Sequence, residues 1–136
     1  MGDVDGVTIT VDYGRPNVKG RDIWGKLVPY GEVWRTGANE ATTIEFSGDV
    51  AINGQKLAAG RYSLFTIPGE EEWTVIFNSQ PDQWGAFKYD SSHDALRVTA
   101  TPGSGENVES MDFVIDGSSV VLRWEEIAVP IEVAAN

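Results

Sequence analysis

The chain of 136 residues is long enough for one domain with a substantial core, and an apolar content of 41% with five Trp is typical of a folded protein. A formal charge of −11 would repel phosphate backbones, which disfavours nucleic acid as a partner. The absence of Cys excludes disulfides and thiolate chemistry, and no apolar run approaches the roughly 18 residues that a membrane helix needs.

The first strong pattern lies in residues 7–13, where apolar and polar side chains alternate. Alternation with a period of two predicts a strand with one buried face, which Pro16 ends because proline cannot donate to a ladder. Residues 14–31 are rich in Gly and Pro and predict a long ordered loop. Three large apolar side chains of this loop are expected to pack back onto the core: Ile23, Trp24 and Leu27.

Alternation returns in the middle of the chain and predicts five more strands, four of which form two hairpins. The clearest hairpin covers residues 50–57, because Asn53-Gly54 suits a two-residue turn that needs positive φ at both positions. Its pattern places Val50, Ile52 and Leu57 on the buried face. The other predicted strands are residues 41–46, 60–67 and 73–78, of which the last two form a hairpin across an acidic tip.

The last third of the chain continues the same pattern. We predict a strand over residues 95–101, a Gly-rich turn over 102–107, a hairpin of strands 108–115 and 119–127 around Asp116-Gly117, and a short strand over 129–133. No stretch shows helical spacing of apolar residues. We therefore predict a single domain over residues 1–136 that is an all-β, antiparallel two-sheet β-sandwich, jelly-roll-like, with one long ordered loop and little or no helix.

Few residues suggest nucleophilic or metal chemistry. His93 is the only His, and its neighbours in the segment YDSSHD are polar turn formers, so we interpret it as part of a solvated turn. No G-x-S-x-G elbow accompanies it, and one His with two Asp is too few ligands for a zinc site. We predict no metal and no cofactor.

The segment WRTGANE, residues 34–40, is the strongest candidate for a site. Arg35 offers a fork of donors suited to a carboxylate or phosphate, Asn39 can donate and accept, and Trp34 offers a ring face. The candidate ligand-binding residues are Tyr30, Trp34, Arg35, Asn39, Glu40 and Trp84.

A structural interpretation of the same segment is favoured over a ligand site. In it Arg35 and Asn39 satisfy backbone groups of a buried turn, since buried backbone must be hydrogen-bonded. We expect Arg35 and Asn39 to be partly buried against residues 14–31. A carboxylate or several carbonyls should then face the guanidinium, and the plausible carboxylates are Glu40, Glu45 and Asp12.

Several motifs together resemble one bacterial family, the domain of unknown function 2911. They are YGRP (13–16), KGR (19–21), LVPYG (27–31), VWRTGANEAT (33–42), AG (59–60) with YSLFTIP (62–68), EWTVIFN (72–78) and QWG (83–85). The resemblance covers about residues 7–125, and Trp24 departs from it. It implies exported bacterial proteins, often preceded by a signal peptide or lipoprotein leader, and it implies no particular reaction.

Two functions of different classes follow. The favoured one is a non-catalytic binding or scaffolding domain of the bacterial envelope that grips a small polar ligand, a saccharide or a partner near WRTGANEA. The alternative is a hydrolase or lyase with Glu40 or Glu45 as acid or base. The start MGDVDG has no signal-peptide pattern, so we expect a periplasmic or secreted location if a leader has been removed and a cytoplasmic one if the chain is complete.

Overall fold

Strands dominate the computed structural model, which describes residues 2–38, 41–81 and 89–136. The described residues form ten strands: β1 (Gly2–Val4), β2 (Val7–Asp12), β3 (Thr42–Phe46), β4 (Val50–Ile52), β5 (Gln55–Leu57), β6 (Gly60–Ile67), β7 (Trp73–Asn78), β8 (Asp94–Ala100), β9 (Gly103–Asp116) and β10 (Ser119–Ala135). The helical structure described is a 3₁₀ turn, Ser91–His93. No helix in the described ranges is long and apolar enough to cross a membrane.

The strands form two antiparallel sheets, as the alternation predicts. One sheet has six strands in the order β1-β2-β3-β6-β7-β8, and the other has four in the order β5-β4-β10-β9. Short turns join β1 to β2, β4 to β5, β6 to β7 and β9 to β10, whereas longer segments lead from β2 to β3 and from β7 to β8 within the six-stranded sheet. The first of these longer segments, residues 13–41, contains the predicted ordered loop (14–31) and, after it, the candidate site.

The core lies between the two sheets. Large side chains from both inner faces are fully buried there: Ile9, Ile44, Phe46, Leu64, Val75 and Phe77 from one sheet and Val50, Ile52, Met111, Leu122 and Val133 from the other. Burying each such side chain contributes roughly 1.5–3 kcal/mol relative to exposure, so this layer dominates the stability. The predicted inward positions of the 50–57 hairpin are confirmed, since Val50 and Ile52 are 0% exposed and Leu57 is 5% exposed.

Both sequence-predicted hairpin turns form. In the first, Ile52 pairs with Gln55 across Asn53 and Gly54, whose φ values are 47° and 84°. In the second, Asp116 pairs with Ser119, so the turn residues lie one position later than expected.

The C-terminal third differs from the prediction in two places. Residues 102–107 are not a Gly-rich turn, because Gly103–Asp116 forms one long strand that continues to pair as far as Gly103. Residues 129–133 are not a separate strand either, because β10 runs without interruption from Ser119 to Ala135. Register shifts on either side of Glu125 (φ 57°) let β9 follow β10 through a bend, which turn-forming residue types do not reveal.

The long loop packs onto the core only in part. Ile23 is 3% exposed and Trp24 is half-buried, as expected, but Leu27 is 47% exposed and the prediction for it is wrong. Backbone bonds close the loop on itself, with Val28 N–H donating to Ile23 O at 2.9 Å and Gly25 N–H to Val28 O at 2.9 Å. These bonds hold Val28 inward, and the intervening Leu27 points outward.

Candidate functional site

A large bulge interrupts the strand that pairs with β6. Thr42 pairs with Leu64, and Trp34 pairs with Thr66 on the same side of β6. Seven residues of the sequence, 35–41, therefore lie between these two pairs, whereas one residue of β6, Phe65, lies between their partners. We call residues 35–41 the Arg35 bulge.

Two threonines close the base of the Arg35 bulge. The Thr42 hydroxyl donates to Thr36 O at 2.7 Å, and Thr42 N–H donates to Arg35 O at 3.2 Å. The Thr36 hydroxyl lies 3.1 Å from that of Thr66. Thr36 and Thr42 are 0% exposed. The base is thus a dry, hydrogen-bonded junction, in which Thr36 takes a positive φ of 62°.

Glycine lets the bulge approach both sheets. A Cβ on Gly14, just after β2, would lie 2.1 Å from Ala38 O, and a Cβ on Gly37 would lie 2.9 Å from the Thr42 hydroxyl. The same Gly37 position lies 3.6 Å from the methyl group of Met111 in β9. The Arg35 bulge is therefore wedged between the end of β2 and the four-stranded sheet.

Four tryptophans pack together on the inner side of the bulge. Trp34 stacks on Trp124 at 6.0 Å, and the ring centroids of Trp24 and Trp73 lie 5.1 Å apart. Trp24 and Trp34 are 5.8 Å apart and nearly perpendicular. Trp73 and Trp124 are almost fully buried. Trp34 is therefore mainly a core side chain, and this cluster, drawn from four distant parts of the sequence, is not visible in any local motif.

Arg35 points the other way. Trp34 N–H and Trp34 O both bond to Thr66, so the chain is extended there and the side chains of residues 33 and 35 lie on the opposite side from Trp34. On that side Val33 packs on a second apolar cluster that contains Ala41, Phe65 and Ile76. The side chains of Trp34 and Arg35 therefore lie on opposite sides of the chain and do not share one surface.

Among the described residues, the guanidinium of Arg35 has no hydrogen-bond or ion-pair partner. Arg35 is half-buried, as predicted, and its Nε is buried without a hydrogen bond. Of the three candidate carboxylates, Asp12 and Glu45 are exposed and form no ion pair with Arg35, and Glu40 lies outside the described residues. The hydrogen bonds described at the base of the bulge come from the hydroxyls of Thr36 and Thr42.

The remaining candidate residues divide into two groups. Tyr30 is 39% exposed, and its ring lies against Gly25, where a Cβ would come within 2.8 Å of Cε2. Tyr30 and Leu27 are the large apolar side chains that the described ranges expose most. Asn39, Glu40 and Trp84 lie outside the described residues.

A polar network that the motifs did not indicate lies on the face of the second apolar cluster. Asp94 accepts from Asn78 Nδ2 at 2.9 Å, from Arg97 Nε at 2.8 Å and from the Tyr89 hydroxyl. Burial raises the pKa of Tyr89, and the bond to Asp94 raises it further. The Tyr89 ring packs 4.9 Å from Phe65. Each of the four side chains in this network bonds to another part of the protein, so the network anchors the chain before β8.

Of the two residues proposed as acid or base, Glu45 is described and Glu40 lies outside the described residues. Glu45 is exposed in the middle of β3, where Thr10 and Arg61 are its cross-strand neighbours. His93 is exposed in the 3₁₀ turn, 3.8 Å from Asp90, which agrees with the solvated turn predicted for it. No group of three or more His, Asp or Glu in the described ranges could hold a metal ion.

Comparison with protein families identifies one match. The model of the family described as "Protein of unknown function (DUF2911)" matches residues 1–133. The chain therefore belongs to this family, and the resemblance carried by the WRTGANEA segment is confirmed over nearly the full length. Comparison with curated proteins and with solved structures finds no match.

Proposed function

We propose that this member of the DUF2911 family is a non-catalytic binding domain that grips a small polar ligand, a saccharide or a partner at the Arg35 bulge. We also propose that it acts in the bacterial envelope, as a periplasmic or secreted protein. The proposal concerns residues 30–40 and rests above all on how the bulge is built.

The observation that supports binding is the separation between the base of the bulge and its outward part. The base is closed by the side chains of Thr36, Thr42 and Thr66, whose bonds do not involve the Arg35 side chain. Ordering residues that lie between ladder pairs costs about 1–2 kcal/mol each. Irregular segments held on a rigid scaffold carry binding residues more often than the regular strands do.

Tyr30 supports the same proposal from the neighbouring loop. Its ring is held against Gly25 while more than a third of the side chain remains open to solvent. Gly31 N–H donates to Pro68 O at 2.9 Å, which fixes the chain next to Tyr30. A ring fixed in this way offers one face to a ligand at little further cost in conformational entropy.

The alternative of a carboxylate-based hydrolase or lyase is less well supported. Glu45 lies on an exposed strand face beside Arg61, whereas an acid or base works best in a cleft that excludes water. Glu40 is the other residue of that proposal. Substrate turnover that Glu40→Gln abolishes without loss of the fold would reverse our preference.

The test is a set of amide spectra of ¹⁵N-labelled protein with cellobiose, N-acetylglucosamine, glutamate and inorganic phosphate as probes. We expect at least one probe to shift the amide signals of residues 30–42 in a saturable way, and Asn39→Ala to weaken that response. Glu71→Ala, in the exposed tip between β6 and β7, is the matched control and should leave it unchanged. Shifts confined to other surfaces, or the absence of any shift, would contradict the proposal.

A further inference from the structure

We propose that the group recognised at the Arg35 bulge is an oxoanion, a carboxylate or a phosphate, bound by the Arg35 guanidinium. This inference rests on the proposed function, because it names the chemical class of ligand that the same site takes. It begins from a comparison of the six arginines of the chain.

Arg35 differs from the other arginines in its partners. Arg97 and Arg123 form ion pairs with Asp94 and Asp112. Arg15 donates to Met111 O, Arg21 donates to Val18 O and Asn17 O, and Arg61 also has an interaction partner. Within the described ranges, Arg35 is the one arginine whose side chain makes no hydrogen bond or ion pair.

This lack of a partner occurs in a protein that has carboxylates in excess. The chain carries 21 acidic residues against 10 basic ones. A cation that is partly removed from water normally requires a counter-charge, since an unpaired buried charge is costly. No carboxylate of the described residues lies within 4 Å of this guanidinium. Among the described residues, the positive charge of Arg35 is thus not neutralised by a carboxylate.

The geometry of the side chain specifies which atoms would bind. Nε is dry and has no acceptor, while the two terminal nitrogens are not among the buried unpartnered atoms and so reach solvent. An oxoanion that approaches from solvent can accept from a terminal N–H and, with a small shift of the side chain, from Nε–H as a parallel pair. Arginine binds carboxylates and phosphates in this bidentate manner, whereas a neutral hydroxyl does not use both donors as well.

The surroundings on this side strengthen such a contact. Val33 and Ala41, which precede and follow Arg35 in the sequence, pack with Phe65 and Ile76 in the second apolar cluster. Arg35 itself is half-buried, and partial removal from water lowers the local dielectric constant and weakens screening by salt. An ion pair formed by Arg35 is therefore worth more than one formed on an open surface.

The experiment follows the Arg35 Nε–H signal in ¹⁵N spectra while inorganic phosphate or acetate replaces chloride at constant ionic strength. We expect a saturable shift of this signal in the wild-type protein and no saturable change in the bulge amides of Arg35→Met. Arg35→Lys keeps the charge but loses the planar fork, and we expect its affinity for phosphate to fall roughly tenfold or more. Arg21→Met removes an exposed arginine with local partners and should bind as the wild type does.

The outcomes separate this inference from the proposed function. If acetate alone binds, the recognised group is a carboxylate, and if phosphate alone binds, it is a phosphate; either result supports the inference. A different result would separate the two proposals: cellobiose or N-acetylglucosamine shifts the bulge amides equally in wild type and Arg35→Met, and neither phosphate nor acetate has an effect different from that of chloride. The proposed binding function would then stand, and the oxoanion inference would be wrong. If no probe acts on residues 30–42, both are wrong.

Discussion

The hydroxyl of Thr42 provides the most direct perturbation of the bulge base. Thr42→Val keeps the β-branched shape of the side chain and removes the donor that reaches Thr36 O at 2.7 Å. Thr36 and Thr42 are 0% exposed, so water cannot replace the lost bond. The substitution therefore isolates one hydrogen bond in a dry junction.

The expected loss follows from leaving a buried acceptor unpaired. Such a group costs about 1–3 kcal/mol, and the methyl group that replaces the hydroxyl recovers part of it through apolar burial. We expect the free energy of unfolding to fall by about 1–2 kcal/mol. For a domain of this size that corresponds to a decrease in melting temperature of roughly 4 °C for each kcal/mol.

Chemical denaturation with guanidinium chloride, followed by Trp fluorescence, measures this change. Thr43→Val is the matched control, since Thr43 is the adjacent strand residue, is 6% exposed and points to the other side of the sheet. We expect Thr43→Val to change the unfolding free energy by less than about 0.5 kcal/mol. Equal effects of the two variants, or no effect of Thr42→Val, would refute the idea that the threonine junction holds the bulge.

Three further predictions concern packing, charge and pH. Gly14→Ala should destabilise the fold by roughly 1–3 kcal/mol because its Cβ would meet Ala38 O, whereas Gly48→Ala, with 3.4 Å of clearance, should cost less in the same unfolding measurement. The melting temperature should rise between low salt and about 0.5 M sodium chloride, because a net charge of −11 opposes compaction and salt screens it; a flat or falling curve would contradict this. Burial and the bond to Asp94 raise the pKa of Tyr89 above its ordinary value of 10.0. The stability that Tyr89 contributes is therefore complete below pH 10 and is lost as the pH rises through the folded-state pKa. Unfolding measurements at alkaline pH should show a smaller decline in stability for Tyr89→Phe than for wild type.

The sequence predicts the sheet class well because local patterns encode it. Alternation and the Asn53-Gly54 turn predict the hairpin of β4 and β5, since turn geometry and buried face agree there. The predictions fail where tertiary pairing overrides residue type. Gly103 and Gly105 suggest a turn, yet β10 offers a long partner and β9 extends through them.

The sequence indicates where the candidate site lies, but it does not predict the hydrogen-bond partners or the side-chain orientations there. The WRTGANEA motif indicates the segment that leaves the ladder, and Arg35 is half-buried as expected. Its partners could not be predicted, because Thr36, Thr42 and Thr66 meet only after the chain folds back on β6. The opposite orientations of Trp34 and Arg35 likewise depend on the pairing with Thr66, which no local pattern reveals.

The central claim is that the threonine junction stabilises the bulge while Arg35 remains available to a ligand. It is tested most directly by the unfolding free energy of Arg35→Met, with Arg123→Met as the control because Arg123 forms a two-point ion pair with Asp112 at 2.8 and 2.6 Å. We predict that Arg35→Met loses less than about 0.5 kcal/mol, or gains stability, because no acceptor is left unpaired, while Arg123→Met loses about 1 kcal/mol or more. A loss of roughly 2 kcal/mol or more for Arg35→Met would contradict the account and make Arg35 a structural residue.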